Sequence, residues 1–135
     1  MRKTTDHPAF NVPQPQSFRT SSELRTWFAT HHATENCLLL RIFKKSSQIE
    51  SVTYAEALDQ ALCFGWIDGQ KLPLDGESWV QRFTPRKPGS GWSKKNTEHV
   101  ERLVQSKQMT PAGLKEVEAA KADGRWAADQ PVWRA

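Results

Sequence analysis

"TYAEALDQALCFGWIDGQK", residues 53–71, decides how the rest of the chain is read. Thr53 and Glu56 have the spacing of a capping box, so a helix starts here. Tyr54, Ala57, Leu58, Ala61 and Leu62 recur at helical spacing and mark its buried side. Gly65 ends the helix, and Trp66 and Ile67 begin a short strand at once. Asp68-Gly69 reads as a hairpin turn or, equally, as a bend bracketed by glycines. The next segment, "ESWVQRFTP" at 77–85, is a strand with Trp79, Gln81 and Phe83 on one face and Val80 and Arg82 on the other. A helix followed directly by two strands breaks any regular βαβ alternation.

Working outward, "TSSELRTWFATHH" at 20–32 opens a helix, with Thr20 and Glu23 at capping-box spacing and Ser21 or Ser22 as other possible caps. Leu24, Trp27, Phe28 and His31 form its apolar stripe. "NCLLLRIFKK" at 36–45 is a strand. Its almost unbroken apolar run predicts a central position, covered on both faces. Ser93 caps a helix running to about Lys107, with Val100, Leu103 and Val104 inward. Thr110 caps a last helix whose first position is Pro111; it carries Leu114, Val117 and Ala120 and stops near Gly124. The order α-β-α-β-β-α-α predicts an α+β fold, a small three-stranded antiparallel or mixed sheet with about four helices. Residues 1–19, with Pro8, Pro13 and Pro15, read as an extended arm tied down by Phe10 and Phe18. Residues 20–126 read as one domain. Residues 127–135 read as a tail, with Trp126 and Trp133 folding back as lids on the core.

The 135 residues are enough for one core without disulfide or metal staples. Mean hydropathy is −0.70, and no apolar run approaches the ~20 residues of a membrane helix. The N-terminus lacks the apolar stretch of a secretory signal. A cytoplasmic protein without membrane insertion is expected. Cys37 and Cys63 form no CxxC pair, and no Cys/His spacing suits zinc. No metal and no cofactor is expected.

The charge is unevenly spread. Of 19 cations five lie in "QRFTPRKPGSGWSKKN", residues 81–96, which leaves 14 elsewhere against 15 acids. Arg82, Arg86, Lys87, Lys94 and Lys95 therefore concentrate the basic character in one loop, as a local anion would require. Lys94, Lys95 and Asn96 fall in the first turn of the Ser93-capped helix, where cations oppose the helix dipole unless an anion is near. Arg82 and Arg86 suit a forked grip on an oxyanion, and Trp92 offers a stacking face. Trp66, Trp79 and Trp92 would form an apolar wall. The plainer alternative is a solvated loop with Arg82 paired to Asp75 or Glu77.

The blocks "SSELRTWFATHH", "KKSSQIESVTYAEALDQALCFGWIDGQK", "RFTPRKPGSGWSKKN" and "MTPAGLKEVEAAKADGRW" make the chain resemble the YdeI/OmpD-associated, or bacteriocin-protection, family over roughly residues 20–126. The resemblance implies an α+β bacterial protein linked by name to stress or bacteriocin protection, with no settled reaction. Many longer relatives continue into a lysine- and arginine-rich helical region; this chain is expected to be a short form without it.

Three functions follow. The first is a protein that binds an anionic small molecule or phosphate-bearing ligand through Arg82, Arg86, Lys87, Ser93, Lys94, Lys95 and Asn96. The second is nucleic-acid binding by the same basic face, against which stand a net charge of only +4 and the lack of a nucleic-acid motif. The third is a small enzyme using Cys63 or Asp68. Cys63, near a helix C-terminus where the dipole raises a thiol's pKa, reads better as a packing residue, and Asp68 better as a turn former. A protein partner remains open. The four histidines form no constellation.

Overall fold

The computed structural model describes residues 14–126. Four helices pack with a three-stranded antiparallel sheet: α1 (Ser21–His31), β1 (Leu38–Phe43), α2 (Tyr54–Cys63), β2 (Trp66–Pro73), β3 (Ser78–Pro85), α3 (Lys94–Gln105) and α4 (Pro111–Ala122). The α+β architecture matches the sequence expectation. Pro8, Pro13, Phe10, Trp133 and the 127–135 tail lie outside the described residues.

The caps behave as their residue types require. Thr20, Thr53, Ser93 and Thr110 each accept a hydrogen bond from the backbone N–H three residues on, and Thr53 with Glu56 completes a reciprocal box.

The sheet order is β1-β3-β2. Here the expectation for "NCLLLRIFKK" is corrected: β3 is central and β1 is an outer strand. Leu38, Leu40 and Ile42 are buried, whereas Leu39, Arg41 and Phe43 are half-buried. One face of β1 meets the core, so the apolar run overstated its coverage. Among the described residues its outer edge is engaged by one parallel bridge, in which Gln16 N donates to Leu39 O at 2.8 Å and Arg41 N donates to Gln16 O at 2.7 Å. Phe18 packs against the core.

Asp68-Gly69 is not the hairpin turn. β2 runs through it, with a register shift between Asp68 and Lys71. The buried Gln81 amide fills this irregularity, donating to Gly69 O at 2.8 Å and to Gln70 O at 3.3 Å. The turn comes later, where Asp75 Oδ1 accepts from Glu77 N at 2.9 Å and Ser78 N at 2.8 Å. An aspartate that binds the backbone ahead of it is the usual device of such turns.

α2 touches α1, α3, α4 and β2, and its small Ala57 and Ala61 let the neighbours close in. The first turn of α4 sits directly on the end of α2. A Cβ on Gly113 would lie 2.3 Å from Cys63 O, so only glycine fits. Thr110 N and Oγ1 both donate to that carbonyl, at 3.0 and 2.6 Å. Two inward assignments fail: Tyr54 and Val104 are exposed. Each stands at the edge of its helix stripe, where helical spacing alone does not settle the side.

Candidate anion site

Arg82, on β3, points away from the core, and its guanidinium makes no hydrogen bond or ion pair among the described residues. Asp75, one of the partners expected for it, instead takes Arg41 Nη2 at 2.9 Å. Past Pro85 the chain turns in, held by Arg86 N donating to Gly65 O at 3.0 Å. Gly65 has φ 80, which closes α2 and exposes that carbonyl.

The Arg86 side chain is therefore driven inside. The residue is 7% exposed, and its guanidinium lies 3.4 Å from the centre of the Trp92 ring, a stacked cation–π contact. Nη1 donates to Ser90 Oγ at 3.3 Å and Gly91 O at 3.1 Å. Among the described residues Nε and Nη2 are buried with no partner, and so is Trp92 Nε1. Donors buried without acceptors cost about 1–3 kcal/mol each. Burial pulls the Arg86 pKa down to about 10; Glu116 opposes the shift, Arg125 adds to it, and Asp68 opposes it. Arg125 also braces the loop, with Nη1 donating to Ser90 O at 2.6 Å. Beneath Trp92 lies Trp126, the ring centres 4.9 Å apart.

Beside this stack an open hollow of about 510 Å³ is lined by Asn36, Arg82, Thr84, Pro85, Arg86, Lys87 and Pro88. Arg82, Arg86 and Lys87 thus share a site. Ser93, Lys95 and Asn96 line a different hollow, of about 340 Å³, with Tyr54, Leu58, Asp68 and His99. Lys94 is exposed and lines neither. Asp68 shares the second hollow with Lys95, so that hollow already holds a negative charge.

The three tryptophans do not form one wall. Trp66 is a core residue whose Nε1 donates to His32 O at 3.3 Å. Trp79 is half-buried near Tyr54, with Lys71 Nζ 4.3 Å from its ring centre. Trp92 supports Arg86.

The sequence pattern places Tyr54 on the buried side of its helix and gives it no functional role. Its hydroxyl donates to Asp68 Oδ2 at 2.5 Å, and partial desolvation together with that bond pushes its pKa up to about 12. The pair joins a helix start to a strand irregularity, a contact no local pattern announces. Cys63 is fully buried, and burial raises its thiol pKa against the opposing influence of Arg25. Among the described residues no group of three or more His, Cys, Asp and Glu side chains could hold a metal ion. No described helix is long and apolar enough to cross a membrane.

An α+β protein with a basic hollow is the class that this fold and site define. The chain matches the family model "Domain of unknown function (DUF8412)" over residues 16–116. It belongs to that family. No curated protein and no solved structure matches it.

Proposed function

We propose that the protein recognises an anion through the loop after β3, as a cytoplasmic binding protein. Its resemblance to YdeI/OmpD-associated proteins supplies the biological setting, stress or bacteriocin protection. The observation that carries the reading is Arg86: a buried cation with two donors lacking acceptors among the described residues, next to the exposed Arg82 and Lys87. A bound anion supplies those acceptors and offsets the buried charge. Ser93, Lys95 and Asn96 belong to the separate hollow and serve this reading only indirectly, through the Ser93 cap that fixes where α3 begins.

Two other readings have less support. Trp92 is buried under Arg86, so it has no open face on which a nucleic-acid base could stack. An enzyme acting through Cys63 needs an accessible thiolate, while burial favours the neutral thiol there.

The test is a thermal-shift screen of phosphates, nucleotides, dicarboxylates and short oligonucleotides on wild type and an Arg82→Ala/Arg86→Ala double variant. Stabilisation of wild type alone is the expected result, since a ligand that binds the native state raises its melting temperature. Equal shifts in both proteins, or none, would return the loop to a solvated surface feature.

A further inference from the structure

We propose that the anion is tetrahedral, of the phosphate type, and that Arg86 Nε, Arg86 Nη2 and Trp92 Nε1 read three of its oxygens. This rests on the reading above that the loop binds an anion, and it names the anion's shape.

The unpartnered atoms of Arg86 are not a random pair. Nε–H and Nη2–H lie side by side on one edge of the guanidinium and point the same way. That edge receives two oxygens of one oxyanion through parallel hydrogen bonds. The third nitrogen, Nη1, is already committed to Ser90 Oγ and Gly91 O. The protein thus holds the plane and leaves the forked edge vacant. Arg41 provides an internal standard: its Nε donates to Ser78 Oγ and its Nη2 to Asp75 Oδ2, both at 2.9 Å. In this fold the same edge is closed where an acceptor is available.

The third donor distinguishes the anions. The Trp92 ring lies a stacking distance, 3.4 Å, from the Arg86 guanidinium, so its Nε1–H belongs to a second layer. A carboxylate has two oxygens in one plane; it can fill the fork and leave the indole N–H unmatched. A tetrahedral anion on the fork has further oxygens out of that plane, directed towards the second layer. Charge agrees, because Arg125 adds to the positive field at Arg86 while Arg82 and Lys87 border the approach. The internal competitor is Glu116 on α4, which acts on Arg86 through space but does not hydrogen-bond to it. The donors lie below solvent contact, so an anion reaches them only when the atoms that cover them move.

The experiment is calorimetric titration with inorganic phosphate, glycerol 3-phosphate and acetate. It uses wild type, Arg86→Lys, Trp92→Phe and Glu116→Gln, each first checked for cooperative urea unfolding. Arg86→Lys keeps the charge and loses the fork; Trp92→Phe keeps a stacking ring and loses one N–H. Wild type is expected to bind phosphate at least tenfold more tightly than acetate. Trp92→Phe should lose at least tenfold for phosphate and little for acetate, and Arg86→Lys should lose both. Tighter binding of glycerol 3-phosphate than of phosphate assigns the site to phosphate esters; the reverse order assigns it to the free ion. Should Arg86→Lys fail to fold, Trp92→Phe decides alone. Equal phosphate affinity in Trp92→Phe and wild type, or a preference for acetate, would overturn the tetrahedral reading and leave anion binding standing. No binding by any anion, with Glu116→Gln markedly less stable than wild type, would overturn both and make Glu116 the partner of Arg86.

Discussion

Arg41 and Arg86 are two arginines associated with one sheet, each lying over an aromatic ring, and they end in opposite conditions. Arg41, on outer strand β1, has its guanidinium 4.4 Å from the Phe43 ring centre, and its forked edge is closed by Ser78 and Asp75. It is half-buried, and water reaches what the protein does not bind. Arg86, just beyond central strand β3, is almost fully buried on Trp92, and its forked edge is vacant. The same side chain is a stabilising corner brace in one place and a buried, incompletely bonded cation in the other. The difference lies in the chain around it. Asp75 comes from a tight turn opposite Arg41, whereas the Gly65–Arg86 backbone bond carries Arg86 to a place where, among the described residues, no acceptor meets its forked edge.

The largest expected effect comes from removing the stack. Trp92→Ala should lower the unfolding free energy by about 3–5 kcal/mol, the usual cost of deleting a buried large aromatic, as read by urea denaturation. Phe43→Ala, under the half-buried Arg41, should cost clearly less. Similar losses at the two sites would mean that the Trp92 stack does not anchor the loop. Next comes the same substitution at each arginine. Arg41→Met breaks a satisfied pair and should lower the melting temperature by a few degrees. Arg86→Met removes an uncompensated buried charge and should leave stability within about 1 kcal/mol of wild type, or above it. A large loss at Arg86 would mean that its bonds to Ser90 and Gly91 outweigh its vacant donors, and the comparison would break.

What the sequence revealed was mostly local. Thr53 with Glu56, Ser93 and Thr110 announce helix starts because a cap needs only residues within one turn. The concentration of cations at 81–96 was equally plain. Strand order was not, because antiparallel register joins residues far apart: Leu38 with Phe83, Asp68 with Phe83. The apolar run 38–43 looked central, yet the more polar β3 holds the middle, with Gln81 occupied by backbone carbonyls. Within the basic loop, alternation along β3 turned Arg82 out, but no pattern predicted that Arg86 would turn in. That depends on the Gly65 carbonyl, and the division of the cations between two hollows depends on where α3 lands.

The smallest expected effects are pH effects, and they separate the two corners by the pH range in which they act. Asp75 has its pKa lowered by the bond from Ser78, with help from the Glu77 N–H and Arg41. Its contribution is complete above the ordinary carboxylate range and is lost as pH falls through the lower folded value. Asp75→Asn should therefore flatten the acid side of the stability profile, below about pH 4. Arg86 acts in the same direction but at alkaline pH, by shedding an unfavourable charge rather than gaining a favourable one. Its pKa falls to about 10 on folding, so above that pH the unfolded chain holds the proton more firmly and stability from this group rises with pH. Tyr54, raised to about 12 by partial desolvation and by Asp68, works against it in the same window. The folded phenol keeps its proton longer, so its contribution is present below about pH 10 and lost as pH rises towards the folded value. Urea unfolding from pH 9 to 11 should then show a steeper alkaline loss for Arg86→Met than for wild type and a shallower one for Tyr54→Phe. Parallel profiles for Arg86→Met and wild type would mean that Arg86 keeps an ordinary pKa. Its forked edge would then be solvated or paired in solution, and the contrast with Arg41 would disappear.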